Sequence, residues 1–96
     1  MLEQQIQKQI DVQLTRRGVW VTKIINANRR GVPDLLACVE GHFFAIEVKR
    51  PGMKATPIQK AQLARITKAG GTAIVATCWE DVEAHLGNIF NEEKEK

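Results

Sequence analysis

Two short stretches, GVPDLL (residues 31–36) and AIEVKRPG (residues 45–52), place Asp34 directly after a proline, and Glu47 and Lys49 two apart in an apolar run. The run His42 to Lys49 has the alternation of a strand. Side chains on a strand point to opposite faces in turn, so Phe44, Ile46 and Val48 share one face and Phe43, Ala45, Glu47 and Lys49 the other. The first face reads as core. If Glu40-Gly41 is a two-residue turn, Val39 pairs with His42, and counting down the ladder pairs Asp34 with Glu47, about 5 Å apart on one face. Like charges placed so destabilise a sheet. A divalent cation between them removes the objection, because one or two carboxylates are what Mg²⁺ prefers, and Lys49 would sit beside the ion. A metal, two acids and a lysine suit phosphodiester hydrolysis: the ion acidifies water and stabilises negative charge in the transition state, and the lysine orients or deprotonates the water and neutralises phosphate. The competing reading needs no metal. Asp34 would cap the turn after Pro33, and Glu47 and Lys49 would form a salt bridge on a solvated strand. The choice depends on register, since a slip of one residue turns one carboxylate to the opposite face.

The surrounding elements follow from pattern. Leu2, Ile6, Ile10 and Leu14 recur every four positions and predict a helix over residues 2–17, stopped by Gly18. Glu3 falls inside that inward arc and Asp11 outside it. An inward acid in a first turn has either a functional role or only a favourable interaction with the helix dipole. Residues 19–25 (VWVTKII) read as a short strand, and 35–39 and 42–49 as a hairpin. Thr56-Pro57-Ile58-Gln59 opens a second helix with an N-cap, a first-position proline and a capping-box glutamine, and Gly70-Gly71 ends it. A fourth strand covers 72–77 and a last helix about 80–90. The order αβββαβα in a single domain over residues 1–90 predicts an α/β fold, a small mixed sheet flanked by helices. Residues 91–96 (NEEKEK) are expected to be a disordered charged tail.

The chain has 96 residues, 44% hydrophobic and 26% charged, and no apolar run near the ~20 residues of a membrane span. Its start lacks the apolar core of a secretory signal, so a cytoplasmic location and no membrane partner are expected. Cys38 and Cys78, far apart and in apolar segments, read as buried free thiols, without zinc-site spacing. The net charge is +3, from 14 basic and 11 acidic residues, and Lys23, Arg29, Arg30, Lys49, Arg50 and Lys54 cluster around the two stretches. Such a cluster fits a phosphate-binding surface or a merely solvated face. Trp20 and Trp79 border apolar segments and read as core or interface residues, and His42, at the hairpin tip, as neither ligand nor base.

Pro33-Asp34 followed by Glu47-Val48-Lys49 resembles the PD-(D/E)XK nuclease motif. The longer string GVPDLL, AIEVKRPG, TPIQKAQL and AGGTAIVA, in that order, resembles the VRR-NUC branch of that superfamily over residues 3 to about 77. The name-giving Val-Arg-Arg stands here as Val48-Lys49-Arg50. The resemblance implies a restriction-endonuclease-like fold and a metal-dependent nuclease, with Asp34, Glu47 and the Val48 carbonyl around Mg²⁺ or Mn²⁺ and Lys49 assisting the attacking water. It implies catalytic roles for Glu3, which would reach the metal through water, and for Gln59, whose other role is to close the capping box with Thr56. Arg29, Arg30, Arg50 and Lys54 are the candidate DNA contacts. Stand-alone proteins of this type resemble bacterial and viral endonucleases that cut branched DNA such as four-way (Holliday) junctions, and no organic cofactor is implied. Symmetric incision of a two-fold junction needs two sites at fixed separation, which a C₂ homodimer supplies. Its apolar surface is expected on the first or last helix. A nuclease preferring flaps, nicks or single strands, and a non-catalytic DNA-binding dimer, are the alternatives.

Overall fold

The sheet is built outward from the hairpin. In the computed structural model, which describes residues 1–94 and the side chains of residues 1–89, β2 (Leu35–Val39) and β3 (His42–Val48) are antiparallel and in register from Val39↔His42 to Leu35↔Ile46. Their link is the expected two-residue turn. Glu40 and Gly41 both have positive φ, 50° and 81°, the twist that a tight hairpin requires. Strand β1 (Trp20–Lys23) adds antiparallel to β2, and β4 (Thr72–Ala76) adds parallel to β3, giving the order β1-β2-β3-β4. A parallel neighbour demands a crossover, and helix α2 (Pro57–Lys68) makes it.

One sheet face is the core. Leu35, Ala37, Val39, Phe44, Ile46, Val48, Ile74 and Ala76 form a single buried cluster with Ile6, Ile10 and Leu14 of α1 (Glu3–Arg16) and Val82, Leu86 and Ile89 of α3 (Trp79–Lys94). Leu2, expected in the α1 stripe, is instead the exposed N-cap residue: the helix begins one position later, and the Leu2 amide donates to Gln5 Oε1 at 2.8 Å. Asp81 ties the start of α3 to the end of β4, accepting from the Thr77 amide at 2.9 Å and from its hydroxyl at 3.2 Å. Helix α3 runs to Lys94, into the stretch expected to be disordered from residue 91; residues 95–96 of that stretch lie outside the described residues. No described helix is long and apolar enough to cross a membrane.

The opposite face is only partly covered. Helix α2 has no fully buried residue, and the ladder Trp20↔Cys38↔Phe43 runs across the open part. Trp20 is 63% exposed and Phe43 46%. Cys38 is therefore exposed and Cys78 half-buried, a correction to the expectation of two buried thiols. The physical reason is alternation: Cys38 lies one residue out of step with the inward Ala37 and Val39. Trp79 packs at the core margin, with the Arg17 guanidinium 4.6 Å from its ring centre.

The loop between β1 and β2 is pinned to the first turn of α2. Gly31 has φ +74°, and a Cβ there would stand 2.6 Å from Ile58 Cγ2 and 2.8 Å from the Ile58 carbonyl oxygen. Gly52 has a similar φ of +88° and open space around it. Gly31→Ala is thus expected to lose about 2 kcal/mol or more in urea unfolding, and Gly52→Ala only the lesser cost of left-handed backbone, about 1 kcal/mol. Equal losses at the two positions would show that the Ile58 contact does not matter.

Candidate active site

The site forms where β2 begins and β3 ends. Asp34 immediately precedes β2, and its carbonyl accepts from the Ile24 amide at 2.8 Å, which continues the β1–β2 ladder by one step. Its carboxylate reaches across to β3, with Oδ2 accepting from the Val48 amide at 2.7 Å. A side chain here takes the place of a main-chain ladder bond. In a strand the N–H and C=O of one residue face the same edge, so the Val48 carbonyl is directed to the side where Asp34 lies. The Lys49 amide turns the other way, donating to the Ala76 carbonyl at 3.0 Å.

Glu47 projects beside Asp34, as the hairpin register requires, and is 2% exposed. Lys49 Nζ lies 3.7 Å from Glu47 Oε2, with both side chains largely shielded from water. The solvated salt bridge considered from sequence is therefore a buried one. Burial comes first in pushing the Glu47 carboxyl up to about 8, followed by its hydrogen bond and charge contact with Asp34, while Lys49 opposes the shift.

Other expected residues are arranged around this pair. Glu3, half-buried at the start of α1, is near enough for its charge to raise Glu47 further. It shares a shallow cleft with Leu2, Gln4 and Arg50, so Arg50 borders the site. Among the described residues no three His, Cys, Asp or Glu side chains gather closely enough to hold a metal, and Glu3 stands apart from the Asp34–Glu47 pair in that sense. Gln59 is engaged in the α2 capping box: its Oε1 accepts from the Thr56 amide at 2.8 Å, and its own amide donates to Thr56 Oγ1 at 3.3 Å. Arg29, Arg30 and Lys54 are exposed. The Gly31–Ile58 contact holds the loop bearing the two arginines against α2. His42 stays away at the hairpin tip, bonded to Thr72 Oγ1 at 2.8 Å. Sequence reasoning passed over Gln7, which is 8% exposed and the only buried polar or charged residue besides Glu47 among those described. Its spacing of four from Glu3 was the available signal.

Residues 2–79 match the VRR-NUC domain family. The chain belongs to the VRR-NUC family. Among its relatives, a protein of Acyrthosiphon pisum secondary endosymbiont phage 1, named as a nuclease and designated p44, is 36% identical over 74 residues, which is 76% of this chain and 80% of the relative. A solved VRR-NUC domain superposes with TM-score 0.75 at 28% identity, covering 85% of this chain and 90% of that one. Hjc of Archaeoglobus fulgidus, a Holliday junction resolvase, shares the fold, with TM-score 0.60, 23% identity and coverage of 76% and 65%.

In this VRR-NUC domain, Asp34, Glu47 and the Val48 carbonyl make a hard-oxygen donor set. Their chemistry fits a divalent cation, because a positive charge between the carboxyls would offset both the repulsion and the desolvation that raise Glu47. Without the cation, Glu47 holds its proton more tightly in the fold than in the unfolded chain. Its contribution to stability is therefore full below the ordinary value near 4.5 and is lost as pH rises through about 8. Glu47→Gln in EDTA should lack this dependence and melt about 5 °C or more above the native protein at pH 8.5, with a smaller gap at pH 5. Melting curves at the two pH values decide it. A gap that does not change with pH would mean that Glu47 titrates as an ordinary carboxylate.

Proposed function

We propose that this chain is a divalent-cation-dependent endonuclease that cuts phosphodiester bonds in branched DNA, four-way junctions above all. The observation that carries the reading is the pairing of half-buried Asp34 with buried Glu47 at the end of the hairpin, with Lys49 beside them. Membership of the VRR-NUC family supports nuclease chemistry, and the phage relative named as a nuclease points the same way. Hjc, a Holliday junction resolvase, shares the fold, and that likeness supports a junction as the substrate.

The residues divide the work. When bound, Mg²⁺ or Mn²⁺ supplies a Lewis acid that acidifies water and offsets charge on the phosphorane-like transition state. Asp34, Glu47 and the Val48 carbonyl would hold it, with Glu3 acting through a water. The Val48 N–H bond stops the Asp34 carboxylate from rotating. Lys49, leaning on Glu47, orients the attacking water and neutralises a phosphate oxygen. Gln59 adds an amide at the start of α2, and Arg29, Arg30, Arg50 and Lys54 contact phosphates on either side of the cut. The setting is the cytoplasm of a bacterium or of a virus-infected cell.

Two-strand incision calls for a C₂ homodimer. The row Trp20, Cys38 and Phe43 supports a partner face on the open side of the sheet rather than on the first or last helix, because it joins two exposed aromatics with no charge between them. Light scattering on the native protein should give twice the chain mass. Trp20→Glu should give a monomer with an unchanged circular dichroism spectrum. A native monomer, or a dimeric variant, would remove this face from consideration.

Cleavage of a labelled four-way junction beside a matched linear duplex, with Mg²⁺, Mn²⁺ or EDTA, tests the activity. Paired symmetric nicks on the junction alone are expected, absent in EDTA and reduced about a hundredfold or more in Lys49→Ala. Equal cutting of both DNAs would leave the metal site and refute junction selectivity. Binding with no cutting under either metal would favour the non-catalytic reading.

A further inference from the structure

Among the large hydrophobic side chains described, Ile25 is the most exposed, at 90%. The apolar run VWVTKII predicts a strand through residue 25, but β1 ends at Lys23, and Ile25 stands beyond it in water. A single exposed apolar residue is ordinary on a protein surface. This one differs in its position and in its neighbours.

Its position is fixed relative to the carboxylates. The Ile24 amide donates to the Asp34 carbonyl at 2.8 Å, one step past the Lys23↔Leu35 pair, so Ile25 is the first residue after the last rung of the ladder. Opposite Cα atoms of paired strands lie about 5 Å apart and successive ones about 4 Å, which puts the Ile25 Cα within roughly 10 Å of the Asp34 Cα. The far end of the loop is held by Gly31, packed on Ile58. A segment tied at both ends presents Ile25 at a set place, on the end of the sheet that carries the carboxylates.

Its neighbours carry one sign of charge. From Val12 to Pro33 the chain has Arg16, Arg17, Lys23, Arg29 and Arg30 and no acid. Asn26, Asn28, Arg29 and Arg30 share the loop with Ile25, and all four are exposed. Guanidinium groups meet phosphates, and carboxamides both donate to and accept from base edges. Two copies of this chain meeting on the loop would set arginines against arginines, so the matching occupant is a polyanion. On DNA an apolar side chain among such groups has one partner, the face of a base. Apolar wedges flanked by Arg and Asn enter the minor groove and part a base step in this way. An intact stack resists, whereas a branch point, where stacking is already interrupted, admits the wedge at least cost.

We propose that Ile25 is a wedge that enters an unstacked step at a DNA branch, with Asn26, Asn28, Arg29 and Arg30 holding the groove and phosphates beside it. At about 3.4 Å per nucleotide along a strand, its distance from Asp34 sets that step within about three nucleotides of the cut. The inference rests on the nuclease reading above and deepens it: part of the selectivity for branched DNA comes from one side chain. Ile25 is no part of the core, so Ile25→Ala should melt at the native temperature.

The test is binding of a four-way junction and a matched linear duplex by the full chain in EDTA. Ile25→Ala should bind the junction about tenfold more weakly, with duplex affinity and the salt dependence of binding unchanged, and Ile25→Met should bind as the native protein does. Arg30→Ala should instead weaken both DNAs and lower the salt slope by about one. With 2-aminopurine at successive positions about the branch, one step should brighten several-fold with the native protein and with Ile25→Met, and not with Ile25→Ala. Native-like junction binding or brightening in Ile25→Ala, or an equal loss on both DNAs, refutes the wedge. A changed mass of Ile25→Ala on light scattering also refutes it, by making Ile25 a contact between copies. Cleavage of the same junctions under Mg²⁺ separates the two readings. Cutting without brightening overturns the wedge and leaves the nuclease standing, whereas brightening without cutting overturns the nuclease and leaves the wedge as a DNA-binding device.

Discussion

The hydrogen bond from the Val48 amide to Asp34 Oδ2, 2.7 Å long, is the constraint on which the site depends. It joins residues 14 apart, across a hairpin whose two-residue turn leaves no slack in register. A charge-assisted bond of this kind is stronger than the main-chain bond it replaces. Asp34 therefore cannot turn away from Glu47, and its charge helps to keep the proton on the Glu47 carboxyl. The pair is held in place from the other side of the sheet, where Leu35, Ile46 and Val48 anchor the same two strands in the core. Each strand gives one face to stability and one to the site, so the cost of the carboxylate pair falls on elements that already have support.

Charge is arranged with the same economy. From Val48 to Trp79 the chain carries Lys49, Arg50, Lys54, Lys60, Arg65 and Lys68 and no acid at all. That segment leaves the site along β3, makes α2 and returns as β4. The acids Glu80, Asp81 and Glu83 begin only with α3, which packs on the core face. The stretch that frames the carboxylates from the β3 side is thus basic throughout, although the chain as a whole is only +3.

The backbone of the site could be read from sequence because its determinants are local. Glu40-Gly41 sets the turn, the turn sets register, and register places Asp34 against Glu47, so three residue types carried most of the prediction. Helix ends were similarly legible where capping chemistry is strong, as at Thr56 and Gln59. What could not be read depends on which part of a face another element covers. Cys38 and Trp20 lie in apolar segments, and only the position of α2 on the far side of the sheet shows that they are left uncovered. Gln7 was missed for a related reason. A glutamine after Ile6 looks like a polar helix residue, and its burial appears only in the folded chain, where α1 lies beside the ends of β1 and β2.

Glu47 and Gln7 are the two described residues that break the rule that polar side chains stay wet, and both lie on the same end of the sheet. Neither is needed by the core, and an apolar substitute of similar size would serve stability better at each. A small domain has little surplus stability with which to tolerate such groups. Scattered buried polar groups would read as imperfect packing. Glu47 stands beside Asp34 and Lys49, and its penalty is one that positive charge between the two carboxyls would remove.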